Sequence, residues 1–198
     1  MSIVKLNNRA VSNATTFGSI SSLGEMVFIS KATASSSASI EFTLGDYKEY
    51  QFYFVNCHPQ TDNVDFTFQT SIDNGSTYGV TTTSTYFVAV QEEDSDPALL
   101  TYVADFDLAQ STNFQILHHD IGNDNDQNNN GCLKLFNPSS LTYVKHYIYS
   151  GNASGWLDAT QNSFVSGYFN DTNDLTNIKF QYSSGNIDAG SILMFGIN

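Results

Sequence analysis

Short segments in which apolar and polar residues alternate constrain this fold more than any other feature of the sequence. In residues 38–44 the apolar side chains occupy every second position, at Ile40, Phe42 and Leu44. Residues 49–56 and 64–71 alternate in the same way. Because successive side chains of a strand point to opposite faces, this pattern predicts half-buried β-strands.

The alternating segments recur along the whole chain, whereas no stretch shows helical spacing of apolar residues over three turns. They number about a dozen and are separated by Gly, Asn, Asp and Ser. An Asn-Gly pair in residues 73–76 indicates a hairpin turn. The further segments are residues 25–30, 80–90, 100–106, 113–119, 131–136, 144–150, 162–169, 177–184 and 191–197. We therefore predict an all-β fold, specifically a jelly-roll-like antiparallel β-sandwich with an N-terminal arm.

The first 24 residues differ in character from the rest. They are rich in Ser, Asn, Thr and Ala, with scattered apolar residues: Ile3, Val4, Leu6, Val11, Phe17, Ile20 and Leu23. This content is too sparse for an independent core. We predict an arm or attachment segment at 1–24 that becomes ordered against another subunit, or else a disordered tail, followed by one sandwich domain at 25–198.

The charge balance restricts the classes of partner. The chain has 20 acidic and 7 basic residues, a net charge of -13 and a single arginine, Arg9. Such a surface repels nucleic acid. Phosphate-binding GxxxxGK[ST] and GxGxxG motifs do not occur, which disfavours nucleotide chemistry.

The targeting signals and the cysteines bear on the compartment in which the chain folds. The N-terminus lacks the apolar core of a secretory signal, and no run of about 18 apolar residues occurs, so we expect synthesis in a cytosol and no membrane insertion. Cys57 and Cys132 are too few for a disulfide framework, and we expect both thiols to be free.

The densest group of possible ligand oxygens is "DIGNDNDQNNNGCLKLF", residues 120–136. An EF-hand loop that starts at Asp124 has Asn129 where glycine is needed and Leu135 where glutamate is needed. We therefore expect a polar loop whose side chains cap their own turns. An irregular calcium site made of Asp120, Asp124 and Asp126 is the alternative.

Other combinations of reactive residues are weaker. A zinc site would need Cys57 with His58, His118 with His119, and Cys132, but adjacent strand residues face opposite ways. Glu41 and Glu49, on neighbouring predicted strands, are a candidate carboxylate pair for glycosidase chemistry, although outward-facing glutamates on an acidic sandwich are more often solubilising charges. No nucleophile elbow is present. The acidic stretch at 91–96 is interpreted as a solvated turn.

A single tryptophan is the candidate for a ligand platform. Trp156, with Tyr147 and Tyr149 upstream, is a candidate for sugar stacking, although a tryptophan beside a glycine is more often a loop anchor. From all of these observations we predict no enzymatic activity, no catalytic residues, no cofactor and no resident metal.

Several stretches resemble a known protein group: "TASSSASIEFT", "YKEYQFYFVNCHPQTDNVDFTFQTSIDNGSTY", "GNDNDQNNNGCLKLFNPSS", "VKHYIYS", "QNSFVSGYFN" and "SSGNIDAGSILMFGI". Together they make the chain, from about residue 33 onward, similar to a family of uncharacterised virion structural proteins of marine tailed bacteriophages. The last stretch is the most specific. The resemblance implies a virion location after synthesis in the host cytoplasm, and it transfers no catalytic residue. Gly131 and Asp188 fit turn geometry as well as any function.

Two functions are compatible with this resemblance. The first is a capsid-surface decoration, cement or fibre-type protein held by its N-terminal arm, with other virion proteins of the capsid or tail as partners. The second is a tail-associated receptor-binding module that recognises host surface glycans, and a polysaccharide-cleaving enzyme is a more remote third. We expect a homo-oligomer, with a trimer favoured over a dimer.

Overall fold

The computed structural model describes residues 26–94 and 98–198, and within these ranges all regular structure is β-strand. The strands are β1 (Val27–Thr33), β2 (Ile40–Thr43), β3 (Glu49–Pro59), β4 (Val64–Ser71), β5 (Thr82–Glu92), β6 (Leu99–Tyr102), β7 (Gln115–Ile121), β8 (Asn129–Phe136), β9 (Lys145–Gly155), β10 (Ala159–Phe169), β11 (Asn177–Tyr182) and β12 (Ile187–Ile197). The predicted all-β class is confirmed. The predicted arm, residues 1–24, lies outside the described residues. No helix in the described ranges is long and apolar enough to cross a bilayer.

Eight of the strands are arranged as a jelly roll. One group has the order β1-β12-β3-β8 and the other has the order β2-β11-β4-β7, and all neighbours are antiparallel. The chain passes between the two groups at most connections, so strands adjacent in sequence end up on opposite layers. This arrangement confirms the predicted jelly-roll-like antiparallel sandwich.

Four additional strands widen one layer. The β9–β10 hairpin adds to β8, and β5 then pairs with β10 over eleven residues before β6 completes the edge. The result is an eight-stranded layer, β1-β12-β3-β8-β9-β10-β5-β6, which we call the large sheet. The small sheet is β2-β11-β4-β7, and a single residue pair, Ile121 with Gly155, joins it to β9.

The core between the sheets is a cluster of aromatic rings. Phe180 of the small sheet lies at its centre, with ring centroids 5.1 to 6.4 Å from those of Phe42, Phe52, Phe54, Phe66 and Phe68. These rings are the inward residues that the period-two pattern predicted, and all are at least 93% buried. Burying each such ring contributes roughly 1.5 to 3 kcal/mol, so this cluster holds the two sheets together.

The Asn-Gly turn at 73–76 does not join a hairpin, contrary to the prediction. Asn74 and Gly75 have positive φ angles of 58° and 81°, as tight turns require, but β5 pairs with β10 and β6 instead of β4. The turn is held by Asp73, whose carboxylate accepts bonds from Ser71 and Thr77. These hydrogen bonds lower the pKa of Asp73 to about 2.

Candidate functional site

The outward surface of strands β9, β10, β5 and β6 carries no Asp, Glu, Lys or Arg within the described residues of these strands. Its members alternate with buried neighbours such as Tyr147 and Tyr86. We call this surface the uncharged face. It consists of His146, Ile148, Ser150, Asn152, Thr160, Asn162, Phe164, Ser166, Tyr168, Thr83, Thr85, Phe87, Ala89, Gln91, Leu100 and Tyr102.

Four large apolar side chains are exposed on the uncharged face. Leu100 is 72% exposed, Tyr102 53%, Ile148 51% and Phe87 40%. The Phe87 ring stacks on that of Phe164 at the protein surface. Depletion of charge combined with enrichment of aromatic residues is the compositional signature of the centre of a protein–protein interface.

The rest of the protein surface contrasts with this face. Elsewhere on the large sheet, Lys31 and Lys134 are exposed, while on the small sheet the Lys179 ammonium lies 2.8 Å from the Glu41 carboxylate. Charged residues of this kind are what keep a sheet surface soluble. The outward surface of β9, β10, β5 and β6 lacks such residues, which distinguishes it from the rest of the sheet surface.

A shallow trough of about 450 Å³ lies on the uncharged face. Thr83, Thr85, His146, Ile148 and Tyr168 are among its lining residues, and the Tyr168 and His146 rings are 5.9 Å apart. Hydroxyl groups beside exposed rings can hydrogen-bond and stack against a flat polar ligand such as a sugar ring. The trough is thus compatible with a small ligand as well as with a protein side chain.

The aspartate-rich loop forms hydrogen bonds within itself as well as to neighbouring segments. The Asp124 N–H donates to the Gln127 side chain at 3.1 Å, and the Asp124 carbonyl accepts from the Gln127 N–H at 2.8 Å. The Asn128 amide donates to the Asp126 carbonyl. These bonds agree with the predicted polar loop that caps its own turns. Asp120 lies apart from them at the end of β7, where its carbonyl accepts from the Trp156 N–H.

A polar pocket of about 340 Å³ adjoins this loop. His58 lies in it, with its Nε2 3.2 Å from the Asp124 carbonyl and its Nδ1 4.0 Å from the Asp188 carboxylate. Among residues 26–94 and 98–198, no three His, Cys, Asp or Glu side chains converge as metal ligands would. The described residues of the pocket therefore provide hydrogen-bonding groups but no convergent set of metal ligands.

The two glutamates considered for glycosidase chemistry do not face each other. Glu41 lies on β2 of the small sheet and Glu49 on β3 of the large sheet. Each alternates with buried residues, so the two point outward from opposite layers. Burial opposes ionisation of Glu41, but hydrogen bonds from Lys179 and Tyr78 outweigh it and keep the pKa of this carboxyl below its ordinary value. Glu41 is thus an ion-pair residue.

The cysteines and histidines do not form a common site either. Cys57 and Cys132 are free thiols, and burial raises the pKa of Cys57 to about 12. A thiol in this state is a poor ligand and a poor nucleophile at neutral pH. His118 is completely buried.

Trp156 does not share a platform with the upstream tyrosines. It is 43% exposed in the β9–β10 turn, beside Leu157, which is 54% exposed. Tyr147 and Tyr149 are at most 1% exposed and belong to the core. The three-ring arrangement considered for sugar stacking therefore does not exist, although Trp156 remains accessible by itself.

Sequence reasoning missed a buried chain of polar side chains under the additional strands. The Ser163 hydroxyl lies 2.8 Å from His118 Nδ1 and 2.7 Å from the Tyr86 hydroxyl, which in turn lies 2.9 Å from His119 Nδ1. A serine next to a histidine is the geometry of an activated nucleophile. Here Ser163, His118 and Tyr86 are all 0% exposed, so the network bonds strands β5, β7 and β10 together.

The consecutive histidines gave the only sequence signal for this network. Their partners, Tyr86 and Ser163, lie 33 and 45 residues away from their respective histidines. No local pattern in a sequence predicts pairing over such separations.

Comparison with known proteins adds no relative. No family model matches the chain, and no curated protein or solved structure matches it.

Proposed function

We propose that this chain is a phage virion structural protein, a capsid-surface decoration, cement or fibre-type component that works by contacting other proteins. The observation that carries this proposal is the uncharged face, an aromatic-rich surface spanning four strands of a protein whose net charge is -13. Lack of charge favours a sheet that is covered in an assembly, because an unpaired buried charge costs several kcal/mol.

The size of this face suits a specific interface. Three strands of eleven residues and one of four, spaced about 4.8 Å apart, cover on the order of 600 Å², close to the contribution of one partner to a standard interface. The jelly roll is also a recurrent architecture of capsid and lectin domains, although a fold by itself does not establish function. We propose that the assembly includes other copies of this chain, with a trimer favoured, and other virion proteins.

The test is direct. Purified phage particles should contain the protein at a fixed stoichiometry, measured by quantitative mass spectrometry. Variants with Phe87→Ser and Ile148→Ser should fold normally but should load onto particles poorly. Unchanged loading of these variants would remove the main support for the proposal.

A second candidate function is a tail-associated module that recognises host surface glycans. It is supported by the trough beside Tyr168 and His146 and by exposed Trp156. Glycan-array binding that is lost in Tyr168→Ala, with the fold intact, would favour this function. An array with no bound glycan, together with stoichiometric incorporation into particles, would favour the structural role.

A further inference from the structure

Strand β6 is an open edge of the large sheet. Over its four residues, Leu99–Tyr102, it pairs with β5, and no other described strand pairs with it. All four residues are exposed. Among residues 26–94 and 98–198, no strand uses its second row of backbone N–H and C=O groups, which is the row that an added strand would bind.

This edge lacks the charge and the proline that often protect edges. Natural sheets place lysine, proline or inward-pointing charge on their outer strands. The β2 edge has the Glu41–Lys179 ion pair, and β1 has Lys31. The sequence of β6, LLTY, has no charge and no proline. Its neighbours on the outward surface are Phe87 and Ala89, so the edge continues the uncharged face.

Acidic residues flank both ends of this apolar edge. Glu92 and Glu93 lie at the end of β5, next to the start of β6, and Asp105 and Asp107 follow β6 in the chain. A strand that binds here thus meets apolar side chains in the middle and negative charge at the ends. The complementary ligand is an extended apolar segment with basic residues.

One segment of this chain has that composition. Residues 1–24 contain two of the seven basic residues, Lys5 and Arg9, and none of the 20 acidic residues. The remaining residues hold five basic and 20 acidic residues, a net charge of -15. Around Lys5 the sequence reads SIVKLN, in which Ile3 and Val4 are β-branched and favour extended backbone.

We propose that residues 1–24 of one copy add as a strand alongside β6 of a second copy, with Ile3, Val4 and Leu6 on the apolar edge and Lys5 and Arg9 near the flanking acids. This inference rests on the proposed assembly role and names its contact. Ordering the segment costs about 1 to 2 kcal/mol per residue, which the new backbone hydrogen bonds, apolar contacts and opposite charges offset.

The fold favours a neighbouring copy over the segment's own β6. The segment leads into β1, and β1 and β6 are opposite edges of the large sheet. Seven strand spacings separate them, about 34 Å. To reach its own β6, the segment would have to cross the whole width of that sheet before it could pair with a strand. Head-to-tail contact between two copies brings β1 of one directly to β6 of the other, and such contacts close into rings, including trimers.

The experiment measures self-association of the purified full-length chain by sedimentation equilibrium, without other virion proteins. The edge variant is Leu100→Asp, and its control is Leu141→Asp, since Leu100 and Leu141 are 72% and 74% exposed. The segment variant is Leu6→Asp. Because the chain is tested alone, the outcome does not depend on whether particles contain it.

We expect the wild type and Leu141→Asp to form the same oligomer. Leu100→Asp and Leu6→Asp should each associate at least about tenfold more weakly. Mixed one to one, these two variants should form a heterodimer, because one supplies an intact segment and the other an intact edge. The proposal would be overturned if the wild type were monomeric or if the Leu100 and Leu141 variants associated equally. It would also be overturned if the mixture of the two variants stayed monomeric. Circular dichroism and the melting temperature of each variant confirm that it is folded.

Discussion

The rings of Phe87 and Phe164 stack on the outer surface of the large sheet, with centroids 4.9 Å apart and planes inclined by 14°. The two residues are directly opposite each other on β5 and β10. Such a pair stabilises the strand pairing by roughly 0.2 to 1 kcal/mol, while leaving Phe87 40% exposed. A contact partner that covers both rings would gain far more than the fold does.

Phe87→Ser should therefore weaken association much more than it weakens the fold. We expect a loss of about 1 kcal/mol or less in the free energy of unfolding, because the side chain is already half exposed. Sedimentation equilibrium should show the weakened association. The matched control is Ile72→Ser, which also removes a 40% exposed apolar side chain but lies outside the uncharged face. Equal association of the two variants would contradict the assignment of this face as an interface.

Tyr86→Phe should destabilise the protein by about 1 to 3 kcal/mol, because it leaves two buried groups without their shared partner. The Tyr86 hydroxyl bonds to both Ser163 and His119 in a fully buried setting. Denaturant titration gives the change in unfolding free energy. Tyr102→Phe is the control, since the Tyr102 hydroxyl donates to Asp107 at the surface. A similar loss in both variants would mean that the buried network adds no specific stability.

Stability should fall as the pH is lowered from about 6.5, in part because of His118. Burial, with a smaller contribution from His119, lowers the pKa of His118 to about 3. The unfolded chain binds a proton at the ordinary histidine pKa of about 6.5, so between these values the unfolded state holds more protons. Protonation then favours unfolding.

His118→Asn should flatten this dependence. Asparagine can hydrogen-bond to Ser163 without titrating. Urea titrations at pH 7 and pH 5 should show a smaller difference in unfolding free energy for His118→Asn than for the wild type. The control His146→Asn changes an exposed histidine and should leave the wild-type difference unchanged. If the difference in unfolding free energy between pH 7 and pH 5 is as large in His118→Asn as in the wild type, other groups dominate the acid response.

Lys145→Met should also be destabilising, by about 1 to 3 kcal/mol. The Lys145 side chain is buried, and its ammonium donates to the carbonyls of Asp171 and Asn173 at 2.9 and 2.5 Å. These bonds fasten the loop before β11 to the start of β9. Lys134→Met, on an exposed position of β8, should change the thermal midpoint by little. If the thermal midpoints of Lys145→Met and Lys134→Met are equal, the hydrogen bonds from the Lys145 ammonium to these carbonyls do not stabilise the fold.

The sequence predicted the strands and their buried faces well, because both depend on a local period of two. The inward positions Phe52, Phe54, Phe66 and Phe68 were all identified in this way. The sequence did not predict which strands pair with each other. The Asn-Gly turn after β4 suggested a hairpin, but Thr82 at the start of β5 pairs with Phe169, 87 residues away. Pairing over such a distance depends on the whole topology.

The candidate site illustrates the same limit. Residues 80–91, 146–157 and 159–170 contain no charged residue, and this signal was present in the sequence. What the sequence does not contain is the fact that these three stretches lie side by side. The fold places β9, β10 and β5 next to one another, and only then do these three uncharged stretches form one surface.

The most direct test of the proposed virion role is an electron-microscopy map of purified phage particles. We expect copies of this jelly roll at regular positions on the particle, each with the uncharged face of β9, β10, β5 and β6 covered by a neighbouring protein. Density in which that face points to solvent in every copy, or particles that lack the protein altogether, would contradict it.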